Sequence, residues 1–165
     1  MSSKDDFTPQ EWTMLIKAPM MVSYAVMGAA PSGGIGIVKE MKAVADAIVD
    51  SGEHAPAGSL VQAVVNEIKT NATDGSSGPK ETIPPGEIKG RAVELCRDVA
   101  QILQSKTNEE EAQSYKLWLL SVGKGVAEAA KEGGFLIFGG TRVSDSEMEA
   151  LTEVASALGI NLSHS

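Results

Sequence analysis

Apolar positions recur at helical spacing along most of the chain, and no stretch shows the strict alternation of a half-buried strand. Phe7-Thr8-Pro9-Gln10-Glu11-Trp12 opens the first helix. Thr8 is the N-cap, Pro9 sits at N1, and Glu11 at N3 can close a capping box. Phe7 and Trp12 occupy the hydrophobic-staple positions. Pro19 predicts an end or kink near residue 18, because proline lacks the N–H that the preceding turn needs. A second helix is expected over 19–30, stopping at Pro31-Ser32-Gly33-Gly34. A third covers 35–51, with Gly52 as its C-cap.

Four more helices follow. Ser59 caps one over 59–70, with Leu60, Val64 and Ile68 on one face. Ile88, Ala92, Leu95, Val99 and Ile102 predict another over 87–105. Asn108 caps one over 109–131, whose three opening glutamates suit the positive end of the helix dipole. Ser144-Asp145-Ser146-Glu147 opens the last as a capping box, and Gly159-Ile160 closes it in a Schellman-type stop. Between them, residues 71–86 read as a flexible linker, with Asp74-Gly75, Gly78-Pro79 and Pro84-Pro85-Gly86 as breakers. The expectation is an all-α single domain, 1–165, of about seven helices.

An internal repeat organises these helices. At a shift of 100, Val22, Val26, Ala29, Ala30, Gly33, Gly34 and Ile37 lie over Val122, Val126, Ala129, Ala130, Gly133, Gly134 and Ile137. At a shift of 107, Glu40-Met41 lies over Glu147-Met148 and Gly52 over Gly159. This predicts duplicated helical hairpins, about 19–52 and 109–159, packed around a pseudo-two-fold. It also bears on the uncharged stretch from Ala18 to Val38, which is long enough to raise a membrane span. Its partner segment carries Lys124, Glu128, Lys131 and Glu132, so neither copy is expected to cross a bilayer. The segment 18–30 is expected to be the most buried helix.

Charge narrows the function classes. The chain has 14 Lys+Arg against 22 Asp+Glu and a net charge of −8. Duplex binding needs a basic surface, so nucleic acid is not an expected partner. One Cys excludes an intrachain disulfide, and it lies on the apolar face of the 87–105 helix with no His at helical spacing. His54 and His164 sit in a loop and at the penultimate position, and both read as surface residues. No nucleophile–base pair is visible, so no enzyme is expected. The start, MSSKDDFTP, has no apolar signal core, and a cytoplasmic protein is expected.

Three groups remain as candidate sites. Gly33, Gly34 and Gly36 precede a helix, and with Lys39 they form a candidate anion site, although the phosphate-loop and dinucleotide fingerprints are incomplete. Glu40, Glu132 and Glu147 are candidate ligands for a hard cation such as Ca²⁺ or Mg²⁺. Helix capping is sufficient by itself to account for Glu147, and the helix dipole for Glu40. Phe135, Leu136, Ile137 and Phe138, set between glycine pairs, read either as a piece tucked over the core or as a docking loop for a partner or membrane surface. The expected partner is a protein or a second copy of the chain.

Residues 143–160, Val143-Ser144-Asp145-Ser146-Glu147 through Ala157-Leu158-Gly159-Ile160, resemble the TerB-like tellurite-resistance domains. Those domains carry an A-D-G-x-I-s-x-x-E motif twice, each followed by a helix. The resemblance implies an all-helical fold of about seven helices, acidic residues at the hairpin turns that bind metal, and a scaffold role in stress-response complexes near the membrane. Glu147 matches the motif glutamate and Glu40 is its counterpart. Glu132 stands where the family has aspartate, and Ser32 stands there in the first copy. This chain also inserts residues 135–142 inside the second motif.

Overall fold

The computed structural model describes residues 2–28, 37–73, 85–132 and 145–160. They form a single 3-10 turn, Lys4–Asp6, and six α-helices: α1 Pro9–Gly28, α2 Ile37–Glu53, α3 Leu60–Thr73, α4 Pro85–Lys106, α5 Glu109–Glu132 and α6 Asp145–Ala157. No strand occurs among the described residues. The all-α class is therefore as expected, with one helix fewer.

The missing helix is explained at Pro19. The expected break does not occur, and α1 runs straight through the proline. Proline in a helix interior leaves the carbonyl four residues earlier without its donor. Here that carbonyl belongs to Leu15, and the Tyr115 hydroxyl of α5 donates to it instead. Tyr115 is fully buried, so this bond forms away from water, where an unpaired carbonyl costs most. Ser23, also buried, donates its hydroxyl to the Pro19 carbonyl at 2.7 Å. The Tyr115 hydroxyl thus replaces the donor that Pro19 lacks, and the Ser23 hydroxyl adds a further bond at the proline's own carbonyl.

The expected caps at Thr8, Ser59 and Asn108 are realised, and the box expected at Ser144 lies outside the described residues. Glu11 N–H donates to Thr8 Oγ1 at 3.1 Å, and Thr8 N–H donates to Glu11 Oε2 at 2.8 Å, which is the capping box. The Phe7 and Trp12 rings pack 5.8 Å apart. Glu111 N–H donates to Asn108 Oδ1 at 2.8 Å, and Gln62 N–H to Ser59 Oγ at 3.3 Å. At the far end, Ile160 N–H reaches the Ala155 carbonyl and Gly159 N–H the Ser156 carbonyl, a Schellman stop. Gly159 supplies the positive φ, +78°, that this stop requires.

Three boundaries differ. Asn71 to Thr73 continue α3 rather than joining the linker, and Pro85 and Gly86 open α4. Proline at the first helical position loses nothing, because that N–H has no intrahelical acceptor. Residues 74–84 lie outside the described residues. Gly52 is not a C-cap but a buried residue inside α2. A Cβ there would stand 2.2 Å from Val65 Cγ2, so the glycine permits close approach of α2 and α3. Its repeat partner Gly159 does a different job, at a helix end.

The core is one cluster running from Phe7 and Trp12 through Leu15, Val22, Ile48, Val64, Val99, Tyr115, Leu119 and Leu158. α1 and α5 sit at its centre, and each packs against the other five helices. The remaining principal contacts are α2 with α3 and α4 with α6. Exchanging α1 with α5, α2 with α6 and α3 with α4 maps this set of packed pairs onto itself. α1 and α5 also agree position by position at the shift of 100. Trp12 and Ala112, Leu15 and Tyr115, Ala18 and Trp118, Val22 and Val122, Val26 and Val126 are all buried, whereas Lys17 and Leu117 are both exposed. The described part of 18–30 is buried at Ala18, Pro19, Val22, Ser23, Ala25 and Val26. No helix among the described residues is long and apolar enough to cross a membrane.

Candidate functional site

The candidate residues fall partly outside the description. Gly33, Gly34, Gly36 and Phe135, Leu136, Ile137, Phe138 lie outside the described residues. Lys39 and Glu40 fall in the first turn of α2, Glu147 in the first turn of α6, and Glu132 is the last residue of α5. Their side chains are likewise outside the description. Among the described residues no group of three His, Cys, Asp or Glu side chains is placed to hold a metal ion.

The described residues do build a groove elsewhere. It lies where the α2–α3 turn meets the first half of α5 and measures about 490 Å³. Local chemistry sets each wall. Pro56 and Gly58, the latter at φ +80°, carry the chain round from α2 to α3. Gly58 N–H donates to Gln62 Oε1 at 2.8 Å, which ties the turn to the first turn of α3. Leu60 and Val61 then face the groove from α3. From α5 come Ser114, Leu117, Trp118 and Ser121, on one face at helical spacing.

Trp118 is the fixed element. It is 6% exposed, and its Nε1–H donates to Ser51 Oγ at 2.9 Å. Ser51 in turn donates to the Ile48 carbonyl at 2.9 Å. Its ring also packs edge-on against Tyr115, with centroids 5.5 Å apart. The indole is therefore a rigid, hydrogen-bonded wall. Leu117 beside it is 51% exposed, one of two large apolar side chains so exposed among the described residues. Glu110 and Glu111 close the rim, and among the described residues no Lys or Arg lines the groove. Glu111 accepts from Ser2 N–H at 2.9 and 3.1 Å and from Ser2 Oγ at 2.8 Å, which pins the N-terminal segment to α5. His54 is exposed at the turn, with Nδ1 3.3 Å from the Asp50 carbonyl.

A second groove, about 640 Å³, lies between α4, α5 and the end of α6, and its walls mix Leu103, Ala112 and Leu158 with Arg97, Gln101 and Lys116. Neither groove holds a reactive constellation. Burial pushes the Cys96 thiol up to about 12 and holds Tyr115 well above the ordinary phenol value. Both stay protonated at neutral pH and belong to the core. This agrees with the expected inert thiol.

The sequence shows Leu117 and Trp118 only as residues of the expected 109–131 helix, with nothing within it to single them out. The signal that finds them is the register of 100. Lys17 shows that the equivalent position on α1 is solvated and charged, so the fold alone does not demand a leucine at 117. No family model matches the chain, and neither a curated protein nor a solved structure does.

Proposed function

We propose that this chain is a non-enzymatic binding module that docks a protein partner through the α5 groove. The observation that carries this reading is the half-exposed Leu117 set beside the rigid Trp118. Monomer surfaces do expose apolar residues singly, but an apolar side chain at the mouth of a groove with an aromatic wall is the arrangement of an interface anchor. The resemblance of residues 143–160 to TerB-like domains supports the same class, a cytoplasmic helical scaffold in a stress response. The common register of α1 and α5, and the exchange relation among the packed helices, support reading the two hairpins as copies of one unit.

Site-specific photo-crosslinking in the source cells tests the reading. A benzophenone side chain at position 117 is expected to capture a discrete protein partner, while the same group at position 17 captures none. Equal labelling at both positions, or none at 117, would contradict it.

A further inference from the structure

The chemistry of the groove specifies its occupant. We infer that the α5 groove takes an amphipathic helix carrying Lys or Arg beside its apolar anchors; this rests on the binding reading above. The argument has three parts. The groove is bounded by helices, and there is no strand edge among the described residues to which an extended peptide could add. Trp118 is buried to within 6% of its surface, so it forms a wall rather than an open stacking face for a polyproline ligand. Of the strand, polyproline and helix modes that suit an apolar groove, the one left is a helix laid into it, with anchors at i, i+3 and i+4. A volume of about 490 Å³ receives a few apolar side chains and not a folded domain.

Charge selects the flank. Among the described residues the ionised side chains at the rim are Glu110 and Glu111, both acidic, and the whole chain carries a net charge of −8. An acidic ligand would meet both the local carboxylates and the long-range field, whereas a basic one is steered by them. Ser51, Ser59, Ser114 and Ser121 line the walls between the apolar residues. Ser51 and Ser59 are already bonded within the fold, and the hydroxyls of Ser114 and Ser121 on α5 are placed to meet polar groups flanking an apolar anchor. The equivalent stripe on α1 reads Met14, Lys17, Ala18 and Met21, with a lysine at its exposed position. A basic ligand would be repelled there, which confines docking to α5.

Trp118 reports occupancy directly. Trp12→Phe leaves it as the sole tryptophan. Trp12 Nε1 has no hydrogen-bond partner among the described residues, so this change removes no bond. The full chain with that substitution is titrated with a synthetic amphipathic Leu/Lys helix, its Leu/Glu counterpart and a shuffled Leu/Lys peptide. The expected result is a saturable change in Trp118 emission with the amphipathic Leu/Lys helix alone. It weakens at least about tenfold in Leu117→Lys and in Ser121→Lys, and it weakens as salt screens the rim. Circular dichroism verifies that both variants keep their helices. A tighter response to the Leu/Glu helix overturns the charge assignment and leaves the binding reading standing. An equal response to the shuffled peptide overturns the helix assignment. Concentration-dependent dimerisation through Leu117 in sedimentation makes a second copy the occupant and overturns the inference. No response to any peptide, together with no photo-crosslink at position 117, overturns both.

Discussion

α1 and α5 are the two central helices, they start a hundred residues apart, and they bury most of the same positions, yet they are built differently. α1 carries Pro19 where α5 carries Leu119, and Leu15 where α5 carries Tyr115. The proline on one helix and the phenol on the other are complementary, since Tyr115 donates to the carbonyl that Pro19 leaves free. On the outer face α1 carries Lys17 and α5 carries Leu117. Shared positions thus define the frame, and the departures mark what each helix does within it. α1 is the buried strut, and α5 is the helix we propose as the one that meets a partner.

The sharpest way to break this comparison is Leu119→Pro, which gives α5 the residue of α1. Tyr115 would lose the Leu119 N–H for its own carbonyl, and Leu15, at the equivalent place, has no hydroxyl to substitute. The expected loss exceeds about 3 kcal/mol in denaturant unfolding, and a much smaller loss would show that Tyr115 is not what makes Pro19 tolerable. Next comes Tyr115→Phe, which leaves the Leu15 carbonyl unpaired and is expected to cost about 1–3 kcal/mol. In a Pro19→Ala background the helix supplies that donor itself, so the same change should cost at least about 1 kcal/mol less. Additive losses in the double-mutant cycle would mean that the hydroxyl acts only through packing.

Alkaline titration sharpens the comparison at the same place, because α5 and α4 bury titratable groups where α1 buries leucine. The folded Cys96 value is raised to about 12 from an ordinary 9.0, by burial. Its neutral form is therefore favoured in the native state. The stability it contributes is complete below pH 9 and is lost as the pH climbs towards 12, at about 1.4 kcal/mol per pH unit from this one group. Tyr115, raised in the same direction, adds to the fall above its ordinary value of 10.0. Cys96→Ala should flatten the slope between pH 9 and 10, measured as unfolding free energy against pH. A smaller effect of opposite sign is expected at Gly125, where α1 has Ala25. Nothing lies within 4 Å of a Cβ built there, so Gly125→Ala should stabilise by about 0.5–1 kcal/mol in a thermal melt.

These contrasts also separate what the sequence reveals from what it hides. Helix starts and stops were legible because their chemistry is local. Thr8 and Glu11, Asn108 and Glu111, and Gly159 with Ile160 each act within a few residues of one another. The tolerance of Pro19 was not legible, because the hydroxyl that rescues it lies a hundred residues away. Gly52 read as a helix end because a close approach to Val65 looks the same in sequence as a C-cap. Of the candidate site, only the helix that carries Trp118 is legible in the sequence. Its groove depends on Ser51, the α2–α3 turn and α5 meeting in space, which no single segment encodes.

The most direct measurement compares Leu117→Lys with the parent chain in two readouts, unfolding free energy and the Trp118 response to an amphipathic Leu/Lys helix. Lys17 already occupies the equivalent exposed position, so stability is expected to stay within about 0.5 kcal/mol while the binding response disappears. A loss of several kcal/mol in stability, or an unchanged response, would contradict the assignment of Leu117 to contact rather than to the fold.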